Sequence, residues 1–526
     1  MTPTLGPGDF TAEREELLQR AAGLAKALVG SATGATTLGR ERAILRLIGV
    51  GGLDRKGRPL AAEVVDRYVG GEPSRLAMGI GLPFSLALLE YDTDPQQLAL
   101  DVAAGSVDLG LEAELLAAPE RRAAATEHFS RLAAAAVDRI DDNRVARTEL
   151  LEVLHDRRAP WIGATLRESS VEQAEREAAA LVRAGLDLVR VEVPTIRELA
   201  VRLGELGHDV GWRPRQPGAE HETTPAGSQR GIARLRDVLD RAAAERGAYV
   251  RLVIAPPALA GPEGAIVAAF ERADLLELDP MGEMFVTGVD PERALVDFAF
   301  AVRVARRAGV ALHLDAGPLV VAPDLGSGMN ADAATRAGRS LALQLLTVLV
   351  ARANGIPDSQ VIVGALPLWL DGESDLPVRA AAELALRRAL YQRHRLSFVQ
   401  PPDPDDSGRW AAIVAGIQPG SGVALIQPQA ERDVDQTGAT AGRARWAAEV
   451  AGQLDGSDGP RLAGAAREHA RRTLAAAAAT LDLIGRDGWP ALTGAAAARD
   501  GWGQLGADAV APSGVAADPV EQALAG

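Results

Sequence analysis

Eight short apolar runs recur between residues 161 and 428, spaced so that most successive pairs leave room for one helix, and no other feature restricts the fold as tightly. They are WIGATLR (161–167), LDLVRVEVP (186–194), AYVRLVIAPP (248–257), LLELDPMG (275–282), VALHLDAG (310–317), QVIVGALPL (360–368), LSFVQPP (396–402) and VALIQP (423–428). Each is β-branched or Leu-rich, too short for a helix, and stopped by Pro, Gly or a charge, as strands buried on both faces are. The segments between them, such as VEQAEREAAALVRAG and PERALVDFAFAVRVARRAG, space their apolar residues three and four apart, which is the helical period. Eight strand-then-helix units predict an α/β chain folded as a closed parallel (β/α)8 TIM barrel, with function at the C-terminal ends of its strands.

The barrel stretch uses about half of the 526 residues, which leaves length for helical additions on either side. The expected division is an N-terminal helical region (1–158), the barrel (159–430), C-terminal helices (431–487) and a loosely structured tail (488–526) rich in Gly, Ala and Asp. A net charge of −15 without a basic block argues against nucleic acid and anionic membrane surfaces as partners. The absence of cysteine removes disulfides, thiolate nucleophiles, iron–sulfur ligation and Cys-based zinc sites together, and with the lack of a signal-peptide pattern it predicts a cytoplasmic protein. Only Lys26 and Lys56 are lysines, so the barrel itself has none to form a Schiff base.

If the barrel closes, the candidate site residues are those that end each strand: Arg167 and Glu168, Glu192, Asp279 and Glu283, His313 and Asp315, Asp371, Gln400 and Gln427. Strand alternation puts His313 with Asp315, and Glu277 with Asp279, on the same face of their strands. Asp279, Asp315 and His313 are the candidates for catalysis; they suit a cationic amine, a proton or a metal, or else a solvated hydrogen-bonded ring, and no metal site is predicted. Arg167, Glu192, Arg251, Gln400 and Gln427 are the candidates for holding a cofactor. The long connection HDVGWRPRQPGAEHETTPAGSQRG (208–231) reads either as a lid or subunit contact or as a solvated insertion. Gly326 and Gly328, ahead of a helix, lack the full pattern of a nucleotide-binding loop and read as an ordinary loop before an N-cap.

ERAILRLIGVGGLD (41–54), VVDRY (64–68), DPQQLALDVAAGSVDL (94–109), DRIDDNRVAR (138–147) and GAYVRLVIAPPALAGPEGAIVAAFERAD (247–274) together resemble the α subunit of lysine 5,6-aminomutase. The resemblance implies a barrel subunit of an isomerase that uses adenosylcobalamin and pyridoxal phosphate, in which a radical abstracts a substrate hydrogen and an amino group migrates to the adjacent carbon. It also implies a smaller β subunit carrying the corrinoid-binding domain and the imine-forming lysine, and an amino-acid substrate. Consistently, none of the seven histidines sits in an Asp-x-His-x-x-Gly setting. The family's pocket is not matched residue by residue: its phosphate-gripping arginine falls at Val193 and the serine after it at Glu198. Its strand-three serine falls at Pro257, its ring-stacking tyrosine near Gly282, its Asp-Asn pair at Gly317 and Pro318, and its substrate-binding lysine at Ser397 or Phe398. Nearby Arg190, Arg197 and Arg251 are partial substitutes. Two alternatives therefore stand beside the aminomutase reading: a divergent relative without pyridoxal phosphate that catalyses another cobalamin-dependent rearrangement, and a non-catalytic scaffold.

Overall fold

The computed structural model describes residues 10–54, 58–70, 72, 74–157, 161–166, 171–193, 225–284, 288–314, 332–364, 382–383, 385–387, 389–391, 394–399, 422–426, 460–489, 492, 510–512 and 518–525. All eight expected runs contain or overlap a strand, and the eight close in chain order into one parallel barrel. The strands are β2 (Trp161–Thr165), β3 (Leu188–Glu192), β4 (Arg251–Ala255), β5 (Leu275–Leu278), β6 (Ala311–Leu314), β7 (Val361–Val363), β8 (Arg395–Val399) and β9 (Gly422–Ile426), with β9 hydrogen-bonded back to β2. A short strand β1 (Ala35–Thr37) lies outside the barrel.

Alternation along the strands sorts their side chains into two cores. Ile162, Val189, Leu252, Ile254, Leu276 and Leu312 join the large apolar cluster shared with the surrounding helices, whereas Trp161, Leu188, Val253, Leu275 and Ile362 form a separate cluster with Ala311 inside the barrel. Because these inner residues fill its lower half, the barrel is a packed core rather than a pore. Gly163 belongs to this filling. A Cβ there would meet Leu188 Cδ2 at 2.4 Å and the Leu188 carbonyl oxygen at 2.8 Å, so only glycine lets β2 and β3 approach as they do.

The N-terminal face is closed twice over. At the floor, the Arg251 guanidinium stacks 3.6 Å from the Trp161 ring centroid and pairs with Asp156 at 2.5 Å. Beneath it runs the 35-residue helix Pro119–Val153, whose Arg147 donates to the carbonyls of Ala273 (2.5 Å), Ala308 (2.9 Å) and Gly309 (2.7 Å), while Asn143 donates to that of Phe270 (2.9 Å). Those of Phe270, Ala308 and Gly309 end barrel helices and that of Ala273 lies in the connection to β5, and side chains from below satisfy them. Only the opposite face is left for chemistry.

The other N-terminal helices pack against the barrel's helical layer through buried polar contacts. Arg46 Nε meets Glu263 Oε1 at 2.6 Å, and the Thr37 hydroxyl, which caps helix Leu38–Leu47, donates to Asp297 of helix Pro291–Ala308. Within the tail, which the sequence presents as loosely structured, the structure shows order: β10 (Val510–Pro512) pairs antiparallel with β1, and helix Pro519–Ala525 buries Val520 and Leu524. Asp518 and Glu521 reach Arg40, and Glu521 also meets Arg303 Nε at 2.6 Å. The described end of the tail is thus pinned by charge pairs and a strand, which composition alone does not reveal. Among the described residues no helix is long and apolar enough to cross a membrane.

Candidate active site

Above the apolar filling, the next inward positions are polar and touch one another. On β3, Arg190 follows Leu188 by two residues; on β5, Glu277 follows Leu275 by two; on β6, His313 follows Ala311 by two. Glu277 and His313 are direct register partners on adjacent strands, and His313 Nδ1 lies 3.1 Å from Glu277 Oε2. Arg190 comes from a strand that does not adjoin β5. It reaches across β4, on which its own register partner is Val253 and that of Glu192 is Ala255. Its fork then grips Glu277 with both nitrogens, Nε to Oε2 at 2.9 Å and Nη2 to Oε1 at 2.5 Å. The remaining Nη1 donates to Glu192 Oε1 at 2.5 Å and to Thr165 Oγ1 at 3.4 Å.

Accessibility grades upward through this layer: the His313 side chain is 4% exposed, Arg190 15%, Glu277 16% and Glu192 66%. Burial alone would push the Glu277 carboxyl upward, yet the Arg190 fork and the His313 ring more than offset it and hold it well below the usual carboxylate range. Burial likewise works against the Arg190 charge, and Glu277 with Glu192 more than restores it. Arg190 and Glu277 are therefore ionised, and the layer is sealed below and carries one more carboxylate than guanidinium.

The sequence-derived candidates divide as follows. His313 and Glu192 lie in this layer. Asp279 ends β5 and caps the short helix Pro280–Gly282, its Oδ1 accepting from the Gly282 amide at 2.8 Å. Glu283, next along, sits outside the barrel wall: its carboxyl faces Asp297 and Arg293 and accepts from the Leu259 amide at 3.4 Å. Burial, reinforced by Asp297, pushes it up to about 8. Arg251 is a correction. It opens β4 instead of closing it, so it stacks in the floor at the far end from the mouth and is not placed to hold a cofactor there. Arg167, Glu168, Asp315, Asp371, Gln400 and Gln427 lie outside the described residues, as do Gly326 and Gly328 and, of the connection 208–231, everything before Pro225, where a helix begins. Among the described residues no three His, Asp or Glu side chains converge as a metal set.

Arg190 and Glu277 organise the layer but do not close their strands, so neither is among the strand-end candidates. A signal was present: each is a charge at an inward position of an otherwise apolar strand, in phase with Glu192 and Asp279.

The model of the family described as D-lysine 5,6-aminomutase TIM-barrel domain of alpha subunit matches residues 13–404. A lysine 5,6-aminomutase alpha subunit from Acetoanaerobium sticklandii is 26% identical over 329 residues, covering 62% of this chain and 59% of that relative. One from Fusobacterium nucleatum is 24% identical over 374 residues, covering 70% and 66%. The chain thus spans less than two thirds of the length of either. Among solved structures, a Yersinia pestis dihydropteroate synthase covers 55% of this chain and 93% of its own at 13% identity, but a TM-score of 0.34 carries no argument.

Proposed function

Because the chain belongs to the D-lysine 5,6-aminomutase α-subunit barrel family, we propose that it is the barrel subunit of a two-chain aminomutase that moves an amino group between adjacent carbons of an amino acid. Adenosylcobalamin, carried by a smaller β subunit, supplies the radical chemistry in this reading. The observation that supports it is the Arg190–Glu277 ion pair with His313 beside it, set at inward positions above the apolar filling of a barrel whose N-terminal end is sealed. With Glu192 above it, the layer has a net negative character that suits an ammonium group.

The described wall does not fit the phosphate of pyridoxal phosphate. Arg190 and Arg251, on its inner face, are both engaged by carboxylates, and Val193 is buried in the helix-side core. No step is therefore routed through that cofactor, and an amine-migrating enzyme that does not draw on it is the second reading this wall supports.

The test is co-expression with a β chain bearing a corrinoid-binding domain, followed by isomerisation assays on lysine and related amino acids with adenosylcobalamin, with and without pyridoxal phosphate. A complex that turns over an amino acid only with adenosylcobalamin is expected. A stable, cobalamin-loaded complex that isomerises none of them refutes the aminomutase reading, and turnover that needs pyridoxal phosphate refutes the second.

A further inference from the structure

Large hydrophobic side chains that face solvent are few among the described residues, and four of the six gather at one corner of the N-terminal helical region. Leu89 (42% exposed) and Tyr91 (51%) end helix Gly81–Tyr91, and Leu111 (59%) and Leu115 (38%) lie one turn apart on helix Leu109–Leu115. The two helices pack against each other, and beneath the exposed residues Leu86 and Leu116 bury with Ala125 in a small separate core. We propose that this corner docks a protein segment whose apolar side chains flank a lysine or arginine.

The charge of that segment follows from two carboxylates set among these side chains. Glu112 is 4% exposed, yet its Oε2 has no hydrogen-bond partner, and its Oε1 meets the Tyr91 hydroxyl at 3.5 Å, the outer edge of hydrogen-bond range. Glu90 faces it with like charge, and burial together with Glu90 pushes the Glu112 carboxyl above its ordinary range. Arg121, in the first turn of helix Pro119–Val153, pairs with Glu90 at 3.1 Å and is 45% exposed. Two carboxylates thus share one solvated guanidinium, which leaves the corner short of a positive charge. Asp92, Asp108 and Glu114, close by in sequence, are exposed and add to the deficit. A basic side chain from a partner supplies the missing charge, while its apolar neighbours cover the leucines and the tyrosine.

The same charges disfavour other occupants. A second copy that meets this corner face to face makes an isologous contact, which sets Glu90 and Glu112 against their own counterparts. Anionic lipid and nucleic acid are repelled in the same way. The corner is also remote from the polar layer inside the barrel. Arg121 and Arg147 lie on one helix, about 39 Å apart along its axis, and Arg147 is the residue bound beneath the barrel floor. The docking surface therefore does not depend on the aminomutase reading.

The probe is a synthetic amphipathic peptide of leucine and lysine, titrated with the full chain by fluorescence anisotropy, and a leucine–glutamate peptide of the same pattern is the control. The lysine peptide should bind and slow amide hydrogen exchange on helix Leu109–Leu115 and at the end of helix Gly81–Tyr91, while the glutamate peptide does not bind. Leu111→Ser and Glu112→Gln should each weaken binding about tenfold. Raising salt from about 50 to about 500 mM should weaken the wild type more than Glu112→Gln. No binding, equal binding of the two peptides, protection confined to other helices, or variants that bind as the wild type does overturns the proposal. Self-association of the chain that Leu111→Ser abolishes, read by sedimentation velocity, overturns it in favour of a second copy. Should Glu112→Gln not fold, Leu111→Ser and Glu90→Gln, both at exposed positions, decide the matter.

Discussion

Replacing Glu283 with glutamine should make the protein more stable in mild base and leave the effect absent in acid. The carboxyl lies against Asp297; Arg293 and the Leu259 amide favour its charge, and burial, the largest influence, pushes it from 4.5 up to about 8. Between those values the folded chain holds a proton that the unfolded chain has lost. Stability therefore declines as pH rises, because the slope follows protons bound unfolded minus protons bound folded, which is negative there. The contribution is complete below about pH 4.5 and gone above about pH 8. At about 1.4 kcal/mol per pH unit the ceiling is about 5 kcal/mol. Glu283 keeps some solvent contact, so solvent screening reduces this to about 2 kcal/mol. Glutamine copies the neutral acid in shape and cannot ionise. Thermal melts of wild type and Glu283→Gln from pH 4 to 9 should show a gap that opens in the variant's favour between about pH 5 and 8 and then stays constant. A gap that is flat with pH, or that widens in the wild type's favour, removes the buried neutral carboxyl from the account.

Gly163→Ala forces a methyl group into Leu188 and its carbonyl oxygen, and should cost about 1–3 kcal/mol in denaturant titrations; an unchanged midpoint means that β2 and β3 separate freely. Glu263→Ala leaves Arg46 buried without its carboxylate, both side chains being at most 4% exposed, so a loss of about 3–5 kcal/mol is expected in the same assay. Arg251→Met should lower stability by about 1–2 kcal/mol through the lost Trp161 stack and Asp156 pair, yet leave KM and cobalamin affinity unchanged; a raised KM would return Arg251 to the binding site.

The apolar runs and the helical periods between them determine the barrel, because each is a local property: a stretch as short as LLEL or VALHL is buried on both faces wherever it lies, and eight of them in parallel order have few ways to satisfy their edges. Alternation also assigns Glu277 and His313 to inward positions, and the place of Arg251 at the start of its run is legible on inspection. What the sequence leaves open is which inward charges meet. Arg190 reaches Glu277 across the intervening β4, and which levels meet there follows from the stagger of a closed barrel, a property of all eight strands together. The same holds for the pairing of β1 with β10 and of Arg40 with Asp518, contacts between chain segments hundreds of residues apart. Periodicity reports how each residue relates to its near neighbours along the chain; the partner of a buried charge is selected by where the whole fold brings the chain back.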